Sequence, residues 1–349
     1  MKIAQVAPLY ESVPPKYYGG TERVVSYLTE ELVRQGHDVT LFATGDSVTR
    51  ARLEAATPAG LRLDPNCRDP IAHHMVLLDR VVRQAGRFDI IHFHTDYLHF
   101  PLTRQLRTPH VTTQHGRLDL PDLQPLYRRF CDIPLVSICN DQRQPVNFAN
   151  WVATVYHGLP EELCAFRPGP GKYLAFLGRI HPEKRVDRAV EIAERAGMEL
   201  CIAAKVDKAD RDYFETRVKP LLERPGVEFI GEIGEQEKRD FLGNAHALLF
   251  PIDWPEPFGL VMIEAMACGT PVIAWPRGSV PEIIRDGENG YIVDSIDAAV
   301  AAVARVSALR REDCRRHFEA RFSAQRMARD YLAVYRSLHA APTVRQSVA

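Results

Sequence analysis

The chain has almost no net charge. Its 349 residues include 44 lysines and arginines against 45 aspartates and glutamates, a formal charge of −1. Without an excess of one sign, no overall field would attract nucleic acid or an anionic membrane. We therefore predict no nucleic-acid partner, and we expect any anionic ligand to be bound by a local cluster of cations.

Cysteine pairs and long apolar runs are also missing. The seven cysteines include no C-x-x-C pair, which argues against a disulfide framework and a structural zinc site. No apolar stretch reaches the roughly 20 residues that span a bilayer, and "MKIAQVAPLY" predicts a first strand rather than a signal peptide. We predict a cytoplasmic protein and leave a weak peripheral membrane contact open.

The common nucleotide fingerprints are absent as well. No G-x-G-x-x-G comes after the first strand and no G-x-x-x-x-G-K-[ST] occurs, so a dinucleotide dehydrogenase and a P-loop NTPase are disfavoured. The first strand leads instead into "VPPKYYGGTERVV", with Gly19 and Gly20 before a helical pattern. Paired glycines at a helix start let phosphate approach the backbone. A tight turn with Thr21 as helix cap is the alternative.

Short apolar runs alternate with amphipathic stretches along the whole chain, which predicts βαβ units and parallel sheets. The proline- and glycine-rich stretch "GLPEELCAFRPGPGK" indicates a linker between two doubly wound domains. Ligands of such sheets bind beyond the carboxyl ends of the strands, so we expect a cleft between the two edges. The predicted division is a first domain at 1–157, a linker at 158–172, a second domain at 173–322, a helix at 323–340 packing back toward the first domain, and a disordered tail at 341–349.

Two motifs of the second domain carry charge at predicted strand or helix ends. In "YLAFLGRIHPEK", Arg179 and Lys184 are placed to neutralise a diphosphate, or else belong to a solvated loop. In "EPFGLVMIEAMACGTPV", Glu256 precedes a short apolar helix and Glu264 lies inside it. A carboxylate among apolar neighbours needs a partner. The two glutamates could be an acid/base pair, two clamps on one ligand, or a helix-capping charge beside a buried one.

The combination of "YYGGTE", "LGRIHPEK" and "EPFGLVMIEAMACGTPVIA" resembles the retaining glycosyltransferases of family 4, which have the GT-B fold. The resemblance covers nearly the whole chain, and the E-x7-E segment is its most specific part. It implies transfer of a hexose from a nucleotide-diphosphate sugar with retention of configuration and without metal or cofactor. A UDP-sugar is favoured over GDP-mannose, and the acceptor, whether a saccharide, lipid-linked or a small molecule, stays unknown.

The resemblance also implies roles for individual residues of the second domain. Glu256 would accept hydrogen bonds from the transferred sugar and Glu264 from the ribose, while Arg179 and Lys184 would hold the diphosphate. Backbone groups would contact the sugar and phosphates at Phe258, Gly259 and Leu260, and the base at Ile233. Two positions depart from the family pattern, because Arg185 and Arg277 stand where glycine is common.

In the first domain, the resemblance implies that Gly20, with Gly19 beside it, closes over the diphosphate. It also implies that His115 in "TTQHGRL" faces the sugar and acceptor. His94 in "IIHFHTDYLHF" is a candidate for the acceptor side. A metal site built from His92, His94, Asp96 and His99 is a rival reading of that segment. The run "YRRF", Tyr127 to Phe130, is a candidate for a phospholipid or anionic acceptor, or an ordinary helix surface.

Two other classes of protein remain compatible with the motifs. A sugar-nucleotide epimerase of GT-B fold needs no acceptor, but the pairing of E-x7-E with "GGTE" counts against it. A non-catalytic sugar-nucleotide-binding protein would not need all of Arg179, Lys184, Glu256 and Glu264. A donor panel that detects free nucleoside diphosphate and the anomer formed would separate the three.

Overall fold

The structure, a computed structural model, describes residues 1–17 and 19–340, so the predicted disordered tail lies outside the described residues. The chain divides into two compact units. The first unit contains Met1–Ile138, Arg143–Tyr156 and the chain from Ala324; the second contains Cys139–Gln142 and His157–Ser323. The stretch 158–172, expected as a linker, lies in the second unit, where the backbone N–H of Arg167 donates to the carbonyl of Cys268 over 3.1 Å.

A seven-stranded parallel sheet forms the centre of the first unit. The strand order is β3-β2-β1-β4-β5-β6-β7, so the order reverses between β1 and β4. Ligands of open α/β sheets bind at such a switch point. The strands are β1 Lys2–Val6, β2 Asp38–Thr44, β3 Arg52–Thr57, β4 Ile90–Phe93, β5 His110–Thr113, β6 Leu135–Ser137 and β7 Trp151–Thr154.

The second unit repeats this plan with six parallel strands in the order β10-β9-β8-β11-β12-β13. Its switch point lies between β8 and β11. The strands are β8 Tyr173–Arg179, β9 Leu200–Lys205, β10 Val227–Gly231, β11 Ala245–Phe250, β12 Val272–Ala274 and β13 Gly290–Ile292.

Helices connect the strands in both units. The helices are α1 Gly20–Arg34, α2 Pro70–Gln84, α3 Phe100–Thr103, α4 Leu123–Arg129, α5 Val186–Ala196, α6 Arg211–Tyr213, α7 Lys219–Leu222, α8 Glu235–Gly243, α9 Leu260–Ala267, α10 Val280–Ile283, α11 Ile296–Arg305, α12 Arg311–Arg321 and α13 Ala324–Ala340. A short π-helical stretch, Phe214–Val218, joins α6 to α7. Within the described residues, no helix has the length and apolar character required to cross a bilayer.

Each unit has its own hydrophobic core. In the first unit, Phe93 of β4 and Leu78 of α2 belong to one buried cluster. In the second, Ile202 of β9 and Val190 of α5 belong to another. Strands covered by helices on both faces are nearly continuous apolar runs, as in "IIHF" of β4, where all four residues are buried. All seven cysteines are free.

Candidate functional site

Lys184 and Glu256 form an ion pair at the carboxyl edge of the second sheet. Lys184 follows β8, and its ammonium group donates a hydrogen bond to Oε2 of Glu256. The two side chains are only 18% and 12% exposed. The ammonium also lies 4.9 Å from the centre of the Trp254 ring, a distance at which a cation and an aromatic face attract each other. Lys184, expected to hold the diphosphate, and Glu256, expected to hold the sugar, are therefore direct partners.

Arg179, the last residue of β8, has looser partners. Its guanidinium lies 3.6 Å from a carboxylate oxygen of Asp207 and 3.7 Å from one of Asp210. These are ion-pair distances, longer than those of a hydrogen bond. About a third of the side chain is exposed, so the guanidinium is accessible to an anionic ligand at this edge.

The segment that carries Glu256 is held from two sides. The indole N–H of Trp254 donates to Oε2 of Glu256 over 3.1 Å. On the other side, the backbone N–H of Ser279 donates to the carbonyl of Glu256 over 2.9 Å, and its hydroxyl donates to the carbonyl of Phe258 over 2.7 Å. Gly278 has φ +56°, and a Cβ there would lie 2.3 Å from the Glu256 carbonyl oxygen. Only glycine allows this approach.

Glu264 has the partner that its buried position requires. The residue lies inside α9 and is 4% exposed, and its Oε1 accepts a hydrogen bond of 2.7 Å from the ammonium of Lys238. A carboxylate in an apolar helix is costly unless it is paired. The helix begins after Gly259, which has φ +74°, and Leu260 is its first residue. Lys238 was not predicted, because a separation of 26 residues gives no local signal.

Ile233 lies in the turn between β10 and α8 and is partly buried. Glu237 closes the start of α8 by accepting the backbone N–H of Gly234 over 2.8 Å. This turn is fixed in place one residue after Ile233. It also begins the helix that carries Lys238.

Both departures from the family pattern are arginines bound to Asp253. The Asp253 carboxylate lies 3.2 Å from Arg185, 3.3 Å from Arg188 and 3.4 Å from Arg277. Arg185 has φ +55° and ψ +51°, the left-handed region in which glycine is normally found. The backbone therefore keeps the shape that glycine favours, while the side chain adds an ion pair to the loop before Glu256.

In the first unit, Gly19 and Gly20 begin α1. Gly19 is the cap, and its carbonyl accepts the backbone N–H of Arg23 over 3.2 Å. A Cβ on Gly19 would lie 2.8 Å from that of Pro15. Thr21, expected as a possible cap, is the second residue of the helix instead. Glu22 is buried, and this burial raises its pKa to about 7.

His115 follows β5 and is hydrogen bonded to His94, which follows β4. Nε2 of His115 lies 2.8 Å from Nδ1 of His94. Desolvation lowers the pKa of His115 to about 3, so its imidazole is neutral at physiological pH. His94, expected to line the acceptor side, is 2% exposed, and its other nitrogen is bonded to Gln5. His94 is thus a buried partner of both His115 and Gln5, and its place on the acceptor side stays a prediction.

The rival metal reading of this segment is not supported by the side-chain contacts. Both nitrogens of His92 are hydrogen bonded to hydroxyl groups, of Tyr335 and Thr113. His99 is likewise bonded to the hydroxyls of Thr95 and Thr112. In the part of the chain that the structure describes, no group of three or more His, Cys, Asp or Glu side chains could hold a metal ion.

The run "YRRF" is not an exposed aromatic-basic surface. Tyr127 is fully buried, within a cluster that includes Phe100 and Leu135. The guanidinium of Arg128 lies 4.2 Å from the centre of the Phe148 ring. The aromatic part of the run therefore belongs to the core, and only its arginines are left to meet a ligand.

The second unit thus brings cations and carboxylates together at one sheet edge. Lys184 and Arg179 can neutralise phosphate, and the start of α9 offers backbone N–H groups to the same anion. The carboxylates of Glu256 and Glu264 can accept hydrogen bonds from hydroxyl groups. A ligand with hydroxyls at both ends and a diphosphate between them matches this set of groups.

Comparisons with known proteins concern the family of the chain. The family described as "Glycosyl transferases group 1" matches residues 166–321, and "Glycosyltransferase Family 4" matches residues 18–144. An uncharacterized glycosyltransferase of Methanocaldococcus jannaschii is 28% identical over 84% of this chain and 85% of its own. The phosphatidyl-myo-inositol mannosyltransferase of Mycobacterium leprae is 26% identical over 92% of this chain and 90% of its own.

A solved structure extends the similarity to the fold. The Anabaena protein HepE, in complex with UDP-glucose, has a TM-score of 0.74 at 17% identity, covering 97% of this chain and 100% of that one. The two doubly wound units and these similarities define a glycosyltransferase with the GT-B fold. Within that class, the chain belongs to the proteins of glycosyltransferase family 4 type.

Proposed function

We propose that this glycosyltransferase moves a hexose from a nucleotide-diphosphate sugar to an acceptor hydroxyl, with retention of anomeric configuration and without a metal ion. The observation that carries the proposal is the pairing of Lys184 with Glu256 at the switch point of the second sheet. A cation for phosphate and an acceptor for sugar hydroxyls are adjacent there. They are the two groups that a sugar diphosphate needs at its reacting end.

Donor binding would separate this ion pair. A diphosphate carries more negative charge than one carboxylate, so it competes for the Lys184 ammonium. Glu256 would then exchange its bond to Lys184 for bonds from sugar hydroxyls, and Trp254 would keep its carboxylate oriented. A free nucleoside diphosphate would bind the Lys184 ammonium but has no transferred sugar whose hydroxyls could donate to Glu256. The sugar is thus recognised best when it arrives attached to its diphosphate.

Glu264 and Ile233 would bind the nucleoside part. The Glu264 carboxylate has capacity for more than one hydrogen bond, so it can accept from a ribose hydroxyl while it keeps its bond to Lys238. The backbone at Ile233, in the turn before α8, would contact the base. The sugar and phosphates would then be contacted by the backbone of Phe258, Gly259 and Leu260 and by the cations of Arg179 and Lys184.

The transfer step requires stabilisation of the leaving group more than a protein acid. The acceptor oxygen bonds to the anomeric carbon while the bond from that carbon to the phosphate oxygen breaks, and the acceptor proton passes to the departing phosphate oxygen. Arg179 and Lys184 would stabilise the negative charge that develops on the diphosphate. We further propose that His115 of the first unit contacts the substrate through its neutral imidazole, and that Gly20, beside Gly19, contacts the diphosphate.

UDP-hexose is the favoured donor, because the Anabaena protein HepE of the same fold has been solved with UDP-glucose. A mannosyl donor such as GDP-mannose is the second candidate, because the M. leprae relative is a mannosyltransferase.

The test uses a panel of nucleotide sugars with parental protein and with Glu256→Gln. Free nucleoside diphosphate and the anomer of the product are measured for each donor. We expect Glu256→Gln to lower kcat about 100-fold, while UDP binds as tightly as before or tighter, because Lys184 has lost its competing carboxylate. Glu288→Gln is the control, since Glu288 is a surface residue 64% exposed.

Three results would overturn the proposal. Product of inverted configuration would exclude retention. Isomerisation of the donor without an acceptor would favour an epimerase. Donor binding without any turnover across the panel and a set of candidate acceptors would favour a non-catalytic binding protein.

A further inference from the structure

A buried chain of hydrogen bonds joins His115 to the C-terminal helix α13. Nε2 of His115 lies 2.8 Å from Nδ1 of His94, and Nε2 of His94 lies 2.8 Å from Oε1 of Gln5. The Gln5 amide nitrogen then donates to the hydroxyl of Tyr335 over 3.0 Å. Gln5 and Tyr335 are fully buried. His115 is thus connected, through the side chains of His94 and Gln5, to α13, a helix that is distant from it in sequence.

The chain of bonds continues beyond Tyr335. Its hydroxyl lies 2.7 Å from Nδ1 of His92, and Nε2 of His92 lies 2.7 Å from the hydroxyl of Thr113. The hydroxyl of Thr113 lies 2.8 Å from that of Tyr331. All of these side chains are buried. Polar groups placed this deeply are stable only when they are hydrogen bonded to one another.

The sheet explains why these side chains meet. Gln5 of β1 is the register partner of His92 of β4, and His92 is the partner of Val111 of β5. Side chains two residues apart point to the same face of a strand. His94 therefore follows His92 on one face, and their rings are 4.0 Å apart. On α13, Tyr331 and Tyr335 are four residues apart and so share one face of the helix.

Donor and acceptor rules make the chain of bonds directional. Gln5 donates through its nitrogen to Tyr335, so its oxygen must accept the N–H at Nε2 of His94. A neutral His94 then has its unprotonated nitrogen at Nδ1, which must accept from Nε2 of His115. His115 consequently carries its proton on Nε2 and has an acceptor at Nδ1. Turning the Gln5 amide around would reverse every one of these bonds.

The neutral state that this assignment requires agrees with the surroundings. Burial lowers the pKa of His92 well below its ordinary value, and desolvation also lowers the pKa of His115. A neutral histidine has two tautomers, and the bond made by one ring nitrogen decides the role of the other. Nδ1 of His115 accepts a hydrogen bond in one tautomer and donates in the other.

We propose that Gln5 and Tyr335 are positioning residues that act through His94 to hold His115 in a single neutral tautomer and ring orientation. The inference rests on the proposed function, in which His115 contacts the substrate. The Tyr335 hydroxyl accepts from the Gln5 amide nitrogen and couples the amide to the bonds of His92, Thr113 and Tyr331, so the amide can turn only if those bonds reverse as well. Without that hydroxyl, the amide can turn, and both tautomers of His115 become populated.

The test compares Tyr335→Phe with a matched control, Tyr127→Phe. Tyr127 is also a fully buried tyrosine of the first unit, and its hydroxyl is not part of this chain of bonds. The tautomer of His115 is read from nitrogen-15 NMR of histidine-labelled protein, with His115→Gln to assign its signals. Steady-state kinetics with the donor found in the panel gives kcat and KM.

We expect parental protein and Tyr127→Phe to show His115 with its proton on Nε2 only. Tyr335→Phe should show a mixture of tautomers and a kcat about tenfold lower, with the donor KM within about twofold. An unchanged tautomer in Tyr335→Phe would overturn the proposal, as would an unchanged kcat. If Tyr335→Phe does not fold, the test uses Gln5→Met in its place, because this substitution removes both hydrogen bonds of the Gln5 amide. The NMR measurement needs no turnover, so a parental protein without transfer activity would refute the proposed function alone.

Discussion

At the scale of single residues, the candidate site is organised by two ion pairs, and the proposed donor would replace the pair between Lys184 and Glu256. Lys184 is bound to Glu256 and Lys238 to Glu264. An ion pair taken out of water gains little net stability, because the desolvation of both ions offsets their attraction. Pairs of this kind are therefore easier to explain as groups held ready for a ligand than as contributions to folding.

Arg185 allows a test of how the loop before Glu256 is built. Its φ of +55° is unfavourable for any residue with a Cβ, while its guanidinium is bound to Asp187 and Asp253. Alanine at this position would lose the ion pairs and keep the strain, whereas glycine would lose the ion pairs and relieve it. We expect Arg185→Gly to be more stable than Arg185→Ala by about 1 kcal/mol.

Urea unfolding of the two variants provides the measurement. Comparing the variants with each other removes the contribution of the ion pairs, which both have lost. Equal unfolding free energies would mean that the left-handed conformation at Arg185 carries no strain.

At the scale of elements, a large part of the fold could be predicted from sequence. The apolar runs predicted as strands overlap eleven of the thirteen strands in the described residues; the runs are "KIAQVAP", "HDVTLFA", "FDIIHFH", "HVTTQH", "PLVSIC", "ATVYHG", "YLAFLG", "LCIAA", "VEFIG", "ALLFPI" and "PVIAW". The apolar run of "EPFGLVMIEAMACG" and the glycines at its two ends indicated α9. The two strands that were missed have physical reasons. β3, Arg52–Thr57, is an edge strand with little buried surface, and β13, Gly290–Ile292, has only three residues. Neither has the alternating or continuous apolar pattern of a covered strand.

Contacts of the candidate site residues were predictable only where local motifs mark both partners. Glu256, Glu264, Arg179 and Lys184 are marked by local motifs. Lys238 contacts Glu264 from another element, and nothing in "GEQEK" indicates this distant partner. The buried position of His94 likewise depends on a tertiary contact, with Gln5 of a different strand.

The turn after β12 should be essential because it fits against the segment that carries Glu256. A methyl group on Gly278 would lie 2.3 Å from the Glu256 carbonyl oxygen and 2.4 Å from its nitrogen. We expect Gly278→Ala to displace this segment, break the two hydrogen bonds of Ser279, and lower the transfer rate at least about tenfold.

Gly287 offers a matched control for this substitution. It also has a positive φ, +76°, but a Cβ there meets open space. Gly287→Ala should therefore lose about 1 kcal/mol of stability to backbone strain and keep its activity. If both variants were equally active, the close approach at Gly278 would have no role in the site.

The start of α1 should give the first unit a pH-dependent stability. Burial raises the pKa of Glu22 to about 7 from an ordinary value of 4.5. The folded state therefore binds a proton more tightly than the unfolded state does. Proton binding by Glu22 therefore stabilises the folded state fully below about pH 4.5. As the pH rises from there to about 7, the free energy of unfolding falls by up to about 1.4 kcal/mol per pH unit.

Glu22→Gln removes this titration and keeps the shape of the side chain. Between about pH 4.5 and 7, the urea midpoint of the parental protein should fall relative to that of Glu22→Gln. Asp79→Asn is the control, since Asp79 is 58% exposed on α2. Parallel pH profiles of Glu22→Gln and parental protein would contradict the raised pKa.

At the scale of the whole molecule, each of the two units has a complete doubly wound sheet and its own core. The proposed nucleotide contacts of Glu264 and Ile233 lie in the second unit. A ligand that binds only the folded state stabilises it by RT ln(1 + [L]/Kd), which is about 2.7 kcal/mol at a hundred times Kd. Bound UDP should therefore slow amide exchange in that unit about a hundredfold wherever exchange requires its unfolding.

Hydrogen exchange with mass spectrometry can measure this unit by unit. We expect UDP at a hundred times Kd to slow the amides of β8, β11 and α9. Those of β2 in the first unit should be slowed far less, because we expect each core to unfold separately. Glu264→Ala at the same UDP concentration is the control: losing the ribose contact raises Kd, and the slowing should shrink by the same factor. If UDP slowed amide exchange only in the first unit, the nucleotide site would have to be assigned to that unit. Equal slowing in both units would show that their cores unfold together.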